Sequence, residues 1–338
     1  MDLNTLWFVL LGVLLTGYAI LDGFDLGVGI LHLTARKDEH RREFLNSIGP
    51  FWGGNEVWLV TFGGALFAAF PRAYAAVFSG FYTAFMLLLL ALIVRAVSME
   101  FRSKLESAAW RRCWDAGFSV ASAVATMLFG VAVGNALLGL PIGPAGEWHG
   151  RFLKLLSPYS VLVGLMTVAL FALHGAAYLN GKTTGELQQQ VHRWFWRALG
   201  IFVALFGIVT IFTVWKVPLA TRHFGAHPWA WVVALFNVLA LANLARCVRR
   251  NRPGAAFVSS CAMIAGLMVL LGIAMFPKLA HSSLNPAWSL DIYNAASSPK
   301  TLGIMAIIAA IGMPLVLAYT CVIYWVFRGK VQLGKFSY

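Results

Sequence analysis

Three acidic side chains stand out because they fall within apolar runs, where a charge is costly. Asp22 and Asp25 lie three residues apart in the segment LDGFDLGVG, so on a helix they share one face. Glu56 follows GPFWGGN at the start of another apolar run, where the dipole of a helix N-terminus favours a carboxylate. A charged group inside the hydrocarbon costs about 2.5–3.5 kcal/mol or more. Each acid therefore needs a partner or a role, and proton transfer is one such role.

Further ionisable residues fall in the same half of the predicted helices, and they are Arg95, Glu100, Asp115 and His174. Together with the three acids, they favour a proton half-channel leading from one aqueous side to a buried reaction centre. A structural account is also open, in which Arg95 pairs with one of the aspartates and acids near loops balance neighbouring Arg and Lys. We favour the proton role for Asp25 and the structural account for Glu100 and Asp115.

The sequence lacks the motifs that mark several other kinds of functional site. The sequence contains no GxxxxGK[ST] phosphate loop, no GxGxxG fingerprint after a strand, no HExxH zinc motif and no GxSxG nucleophile elbow. Haem held inside a helix bundle needs a His, usually opposed by a second His or a Met, and only His174 lies well within an apolar run. We therefore expect this chain to bind no haem, other cofactor or metal by itself.

The composition requires a membrane environment. Of the 338 residues, 60% are hydrophobic and 12% are charged, and the mean hydropathy is +0.76, outside the range of soluble domains. The net charge of +13 comes from short segments between apolar runs, which is typical of topology signals rather than of nucleic-acid binding. Residues 1–338 are therefore expected to form a single transmembrane domain with no soluble domain and no nucleic-acid partner.

About nine apolar runs are long enough to cross the hydrocarbon as helices, which takes roughly 20 residues each. They cover residues 6–33, 51–70, 74–97, 114–138, 159–178, 198–215, 229–244, 255–276 and 302–327. The second contains Asn55 and Glu56, and rejecting it would leave eight. The fold class predicted is thus an all-α polytopic membrane protein.

The distribution of basic residues predicts the orientation. With the N-terminus outside and nine spans, 19 of the 26 Lys and Arg fall in cytoplasmic segments, as the positive-inside rule expects. The C-terminus is then cytoplasmic. Removing the second span would invert one half of the chain against the other.

Several longer motifs carry a family resemblance. GYAILDGFDLGVGIL at 17–31 and NSIGPFWGGNEVWLVTFGGALFAAFP at 46–71 are followed by YAAVFSGFY at 74–82 and GVAVGN at 130–135. TTGEL at 183–187 and GIAMFP at 272–277 continue the series. The whole chain resembles subunit II of the cytochrome bd ubiquinol oxidases.

This resemblance implies two four-helix bundles plus one extra helix, in the bacterial cytoplasmic (inner) membrane. It implies a larger partner, subunit I, that carries two haem b groups and a haem d, and allows a small accessory single-helix subunit. The complex would oxidise quinol and reduce oxygen to water with cytoplasmic protons, building proton-motive force without pumping. Subunit II would not be catalytic alone, and the match at GFDLG assigns a proton-path role to Asp25.

One position departs from the family pattern. Relatives often have WDGN where this chain has Trp52, Gly53, Gly54 and Asn55, so a carboxylate proposed for proton delivery is missing at Gly53. Glu56, three residues later, is a candidate substitute. The alternative function from another class is a proton-coupled secondary transporter, although no inverted repeat supports it.

Overall fold

The computed structural model describes residues 2–226 and 228–334, and helices dominate it. A backbone in lipid must satisfy its hydrogen bonds internally, which a helix does within one segment. The described helices are α1 Leu3–Leu31, α2 Asp38–Ile48, α3 Trp52–Ala69, α4 Pro71–Gly80, α5 Tyr82–Phe101, α6 Ala108–Leu138, α7 Pro158–Lys182, α8 Gly185–Lys216, α9 Pro218–Ala226, α10 Ala230–Arg249, α11 Pro253–Met275 and α12 Pro299–Val326.

Eight helices of the described chain are long and apolar enough to cross a membrane, namely α1, α5, α6, α7, α8, α10, α11 and α12. The all-α polytopic fold class is therefore confirmed. The remaining predicted span corresponds to α3, which has 18 residues and carries Asn55 and Glu56 in its first turns. It packs along α1 and buries Trp58. The count of nine spans, the division into two bundles and the orientation stay predictions.

The predicted third span, residues 74–97, is wrong in its bounds. The chain forms α4, leaves the helix at Phe81 with φ −95° and ψ 14°, and then forms α5. Gly80 lies so close to Trp148 that a Cβ atom there would be 2.3 Å from the indole ring. This contact holds the end of α4 against the segment after α6. The sequence is apolar on both sides of the break, so a search for apolar runs cannot detect it.

Some helices extend beyond their predicted apolar runs. Helix α6 begins at Ala108 rather than at 114, and α8 begins at Gly185 rather than at 198. The added turns are rich in polar and charged residues, which a search for apolar runs leaves out. These turns reach beyond the apolar stretch and carry several of the basic residues.

Helices α1 and α7 form the centre of the bundle, and α1 also packs against α3, α6, α11 and α12. The two central helices cross at Gly27 and Gly175. A Cβ atom at Gly27 would lie 1.9 Å from the carbonyl oxygen of Phe171, and one at Gly175 would lie 2.5 Å from the carbonyl carbon of Gly27. Their backbones are thus in direct contact, as small residues allow in membranes.

We expect Gly27→Ala to destabilise the fold by about 1–3 kcal/mol, because the added methyl group must push two backbones apart. The matched control is Gly12→Ala on the same helix, where a Cβ atom would meet nothing within 4 Å. The measurement is the thermal unfolding midpoint of the purified protein. Equal midpoints for the two variants would contradict the prediction.

Two ends of the bundle differ in structure. At one end, the short antiparallel strands β1 Lys278–Ala280 and β2 Leu290–Asp291 cover the start of α1, and Asn4 donates to the carbonyl oxygen of Ile292 at 2.7 Å. The other end holds α2, the last turns of α1 and α7, and the C-terminal segment, in which the amide of Val331 donates to the carbonyl of Lys182. The polar residues described next lie toward this second end.

Candidate functional site: two buried charge clusters

Arg95 and Asp22 form a buried ion pair between α5 and α1. Nη1 of Arg95 donates to Oδ2 of Asp22 at 3.0 Å, and Nη2 donates to Oδ1 at 2.6 Å. Both side chains are fully buried. Two parallel hydrogen bonds are the strongest arrangement of a guanidinium and a carboxylate. The structural account requires that Arg95 pair with one of the two aspartates. Asp22, and not Asp25, is that partner.

Glu56 brings a further carboxylate to Arg95 from α3. Its Oε1 atom accepts a hydrogen bond from Nη1 of Arg95 at 3.2 Å. The Glu56 side chain is 26% exposed, whereas that of Arg95 is fully buried. Glu56 therefore connects the buried ion pair with the surface of the chain.

Asp25 lies one helical turn beyond Asp22 and has different partners. Asn55 of α3 donates from Nδ2 to Oδ2 of Asp25 at 2.7 Å, and Tyr324 of α12 donates to Oδ1 of Asn55 at 3.1 Å. Asp25 is fully buried. We call Asp22, Asp25, Asn55, Glu56 and Arg95 the Arg95 cluster. Within it, Asp22 and Glu56 bind the guanidinium of Arg95, and Asp25 binds Asn55.

Two polar atoms of the Arg95 cluster are buried without a hydrogen-bond partner among the described residues. They are Oδ1 of Asp25 and Nε of Arg95. Buried polar groups in proteins are normally satisfied by protein or by ordered water. The cluster is therefore a place where water can bind inside the helix bundle.

His174 lies apart from these acids. Its Nε2 atom faces the carbonyl oxygen of Ile20 at 2.9 Å and donates to it, while Nδ1 lies 2.8 Å from Oγ of Ser260. Its ring stacks on Phe257 at 5.1 Å. Both ring nitrogens are thus engaged, and the contacts tie α7 to α1 and α11. A proton-path role for His174 stays a prediction.

Asp115 belongs to a second cluster, where the ends of α1, α5 and α6 meet α2. Its Oδ1 atom lies 2.6 Å from both Nε2 of His32 and Nε of Arg102, and its Oδ2 accepts from Arg41 at 2.8 Å. Arg102 also binds Asp38 at 2.6 Å. We call these five residues the Asp115 cluster. Because several basic groups hold this buried carboxylate, the arrangement favours the structural account for Asp115. Glu100 is exposed near the end of α5.

Sequence reasoning missed several of these participants. Asn55 and Tyr324 are uncharged at neutral pH and escaped a search for ionisable residues, although an Asn beside Glu56 in an apolar run was an available signal. His32 lies at the end of an apolar run and Arg41 and Arg102 lie between such runs, so a search inside apolar runs leaves them out. Their partner Asp115 is 83 residues from His32, a separation that no local pattern bridges.

The described residues hold no cluster of metal-ligating side chains. No group of three or more His, Cys, Asp or Glu side chains that could hold a metal ion occurs in residues 2–226 and 228–334. Both ring nitrogens of His174 are engaged by protein groups. The His32 ring is held by Asp115 and packs against Phe118 at 5.2 Å.

The model of the family described as cytochrome bd terminal oxidase subunit II matches residues 3–327. The chain belongs to this family. It is 36% identical to the cytochrome bd-I ubiquinol oxidase subunit 2 of Escherichia coli, over 97% of this chain and 95% of the relative. It is 33% identical to the cytochrome bd ubiquinol oxidase subunit 2 of Bacillus subtilis, over 98% of this chain and 97% of that relative.

A solved structure agrees on the fold. The structure of the bd oxidase from Geobacillus thermodenitrificans superposes with a TM-score of 0.81 at 18% identity, covering 97% of this chain and 99% of that chain. The resemblance stated from the motifs is confirmed, and this chain is part of an oxidoreductase complex with a larger subunit. The alternative of a secondary transporter finds no support in these comparisons.

Gly53 is the position at which this chain departs from the family pattern. Gly53 lies on the exposed side of α3 with open space around the position of a Cβ atom. Glu56, one turn later, contacts Arg95 instead. The hypothesis that Glu56 replaces the carboxylate missing at Gly53 stays a prediction.

Proposed function

We propose that this chain is the haem-free subunit of a quinol oxidase in the bacterial cytoplasmic membrane. Its larger partner would hold two haem b groups and a haem d, oxidise quinol and reduce oxygen to water. The printed names of the relatives, which are ubiquinol oxidase subunits, support the substrate class. The engaged nitrogens of His174 support haem binding outside this chain. A small accessory single-helix subunit is a further proposed partner.

The proposed role of the Arg95 cluster is to carry protons from the cytoplasmic side toward the partner. The observation that carries this proposal is the state of Asp25, a fully buried carboxyl with one amide donor and one oxygen that has no hydrogen-bond partner among the described residues. Asp22, in contrast, is fixed by two hydrogen bonds from Arg95. Asp25 can therefore gain or lose a proton while the ion pair beside it stays intact.

Polar groups connect the surface of the chain with the buried carboxyl groups. Glu56 is partly exposed and contacts Arg95, which binds Asp22, and Asp25 lies one turn further along the same face of α1. A chain of polar groups thus runs from the surface into the bundle. In this proposal Asp25 is the main proton carrier. Asp22, Glu56 and Arg95 fix the geometry of the path and balance its charge. Asp115 and Glu100 keep the structural account, and a proton step at His174 stays a prediction.

The distribution of haem tests the proposed assignment of subunits. We expect a gently purified complex to show haem b and haem d bands in a reduced-minus-oxidised spectrum, and we expect this chain to lose those bands when its larger partner is stripped away. Haem bands that stay with the isolated chain would contradict the proposal. A stable, colourless preparation with no co-purifying larger chain would contradict it as well.

A further inference from the structure

A basic pocket opens beside the Asp115 cluster. It has a volume of about 250 Å³ and lies between the first turns of α2, the end of α5 and the start of α6. The residues described as lining it are Asp38, Arg42, Arg102, Ser103 and Arg111. Three guanidinium groups thus surround a space that one carboxylate and one hydroxyl group also face. Nothing in the proposed proton path uses this pocket.

The pocket keeps a positive excess after its internal pairs are considered. Asp38 is held by Nη2 of Arg102 at 2.6 Å and by Nη1 of Arg111 at 3.4 Å. The other acid that touches Arg102 is Asp115, which Arg41 also binds. Among these residues and Arg42, four arginines therefore face two aspartates.

Exposed and partly exposed charges on the flanking turns reduce this excess. Glu39 on α2 and Glu106 before α6 are exposed acids, while Lys104 and Arg112 are exposed bases on the same stretch of chain. The partly exposed Glu43 lies on α2, one residue after Arg42. The local surface is therefore mixed, and the guanidinium groups are concentrated in the pocket itself.

Two arginines of the pocket are arranged to bind an anion. The Arg102 side chain is only 2% exposed and is fixed by Asp115 and Asp38, so it loses little further freedom on binding. Arg111 has a buried Nε atom without a hydrogen-bond partner among the described residues. Such a donor is costly to leave unsatisfied. A phosphate oxygen is a partner that arginine binds strongly.

Apolar and aromatic residues flank the pocket residues in the sequence. Phe101 and Leu105, on either side of Arg102 and Ser103, are 47% and 51% exposed. Trp110 donates from its indole nitrogen to the carbonyl oxygen of Phe101 at 2.8 Å. Indole rings favour the headgroup level of a bilayer. A phosphate pocket at this level, with exposed apolar side chains next to it, matches both parts of a phospholipid.

We propose that this pocket binds the headgroup phosphate of an anionic phospholipid, whose acyl chains lie along the apolar surface formed by Phe101, Leu105 and Trp110. Basic pockets between membrane helices bind anionic lipid headgroups in this way. Free phosphate offers the same oxygens but would not use the apolar surface. The positive excess favours a lipid with a net negative charge over a zwitterionic lipid.

The test is a lipid titration of the delipidated oxidase complex followed by native mass spectrometry. Phosphatidylglycerol is the probe, and phosphatidylcholine and inorganic phosphate are the comparisons. We expect Arg111→Gln to weaken phosphatidylglycerol binding at this site about fivefold. Arg112→Gln is the matched control, because this substitution removes the same charge. Arg112 is exposed and is not among the residues that line the pocket. Ser103→Ala is a second pocket variant that leaves every ion pair in place.

The outcomes separate the sources of phosphate. Weaker phosphatidylglycerol binding in Arg111→Gln and Ser103→Ala, with Arg112→Gln unchanged, supports the lipid site. Equal weakening by Arg111→Gln and Arg112→Gln would overturn it, since net charge alone would then explain binding. Full displacement of the lipid by excess inorganic phosphate would assign the pocket to free phosphate instead. Equal affinity for phosphatidylcholine would also overturn the proposal.

Discussion

Replacing Asp25 by Asn is expected to lower oxidase turnover by about tenfold or more, because a proton-carrying carboxyl would be lost from the path. The amide has nearly the same shape as the carboxyl, and its oxygen can still accept the hydrogen bond that Asn55 donates at 2.7 Å. The buried pair of Arg95 and Asp22 is left in place. Assembly and haem content should therefore stay normal.

The measurement is oxygen consumption with quinol as donor, divided by the haem content of the purified complex. Glu39→Gln is the control, because Glu39 is an exposed carboxylate on α2 outside the Arg95 cluster. Its removal should leave turnover unchanged. Normal turnover in a fully assembled Asp25→Asn complex would remove Asp25 from the mechanism.

Replacing Arg95 by Met should destabilise the assembled complex by about 3–5 kcal/mol, because it leaves Asp22 buried without its cation. Asp22 is fully buried and receives both of its guanidinium hydrogen bonds from Arg95. Glu56 also loses a contact, but its side chain is 26% exposed and can be solvated. The larger part of the cost therefore comes from Asp22.

The double variant Arg95→Met with Asp22→Asn should recover most of this stability, because it removes both charges of the buried pair. The measurement is the yield of assembled complex and its thermal midpoint, with Arg112→Met as an exposed arginine control. A double variant no more stable than Arg95→Met alone would contradict the pairing. In the recovered complex, nearly normal turnover per haem would assign the pair a structural role, and reduced turnover would include it in the proton path.

Hydropathy alone was enough for most of the fold. Long apolar runs must become helices in lipid because no other open structure satisfies the backbone there, and eight such helices occur in the described chain. The break between α4 and α5 was not predictable in this way. It depends on the close approach of Gly80 to Trp148, a residue 68 positions later in the sequence.

The candidate site was predictable in part. Asp22, Asp25, Glu56 and Arg95 were selected because charges in apolar runs need partners, and they do lie together. The assignment of partners was not predictable, since either aspartate could have met Arg95. Asn55 and Tyr324 were missed because neither carries a charge that an apolar run would make conspicuous.

Local periodicity therefore determined which helices form and that Asp22 and Asp25 share one face of α1. Tertiary packing decided what each of them touches. The backbone contact of Gly27 with Gly175 sets how α1 meets α7, and the packing of α3, α5 and α6 around α1 delivers Asn55, Arg95 and Asp115 to their partners. The rotation and depth of one helix against another arise from side chains far apart in the chain. For this reason the sequence predicts the groups that must be paired, and only the folded structure decides the pairs.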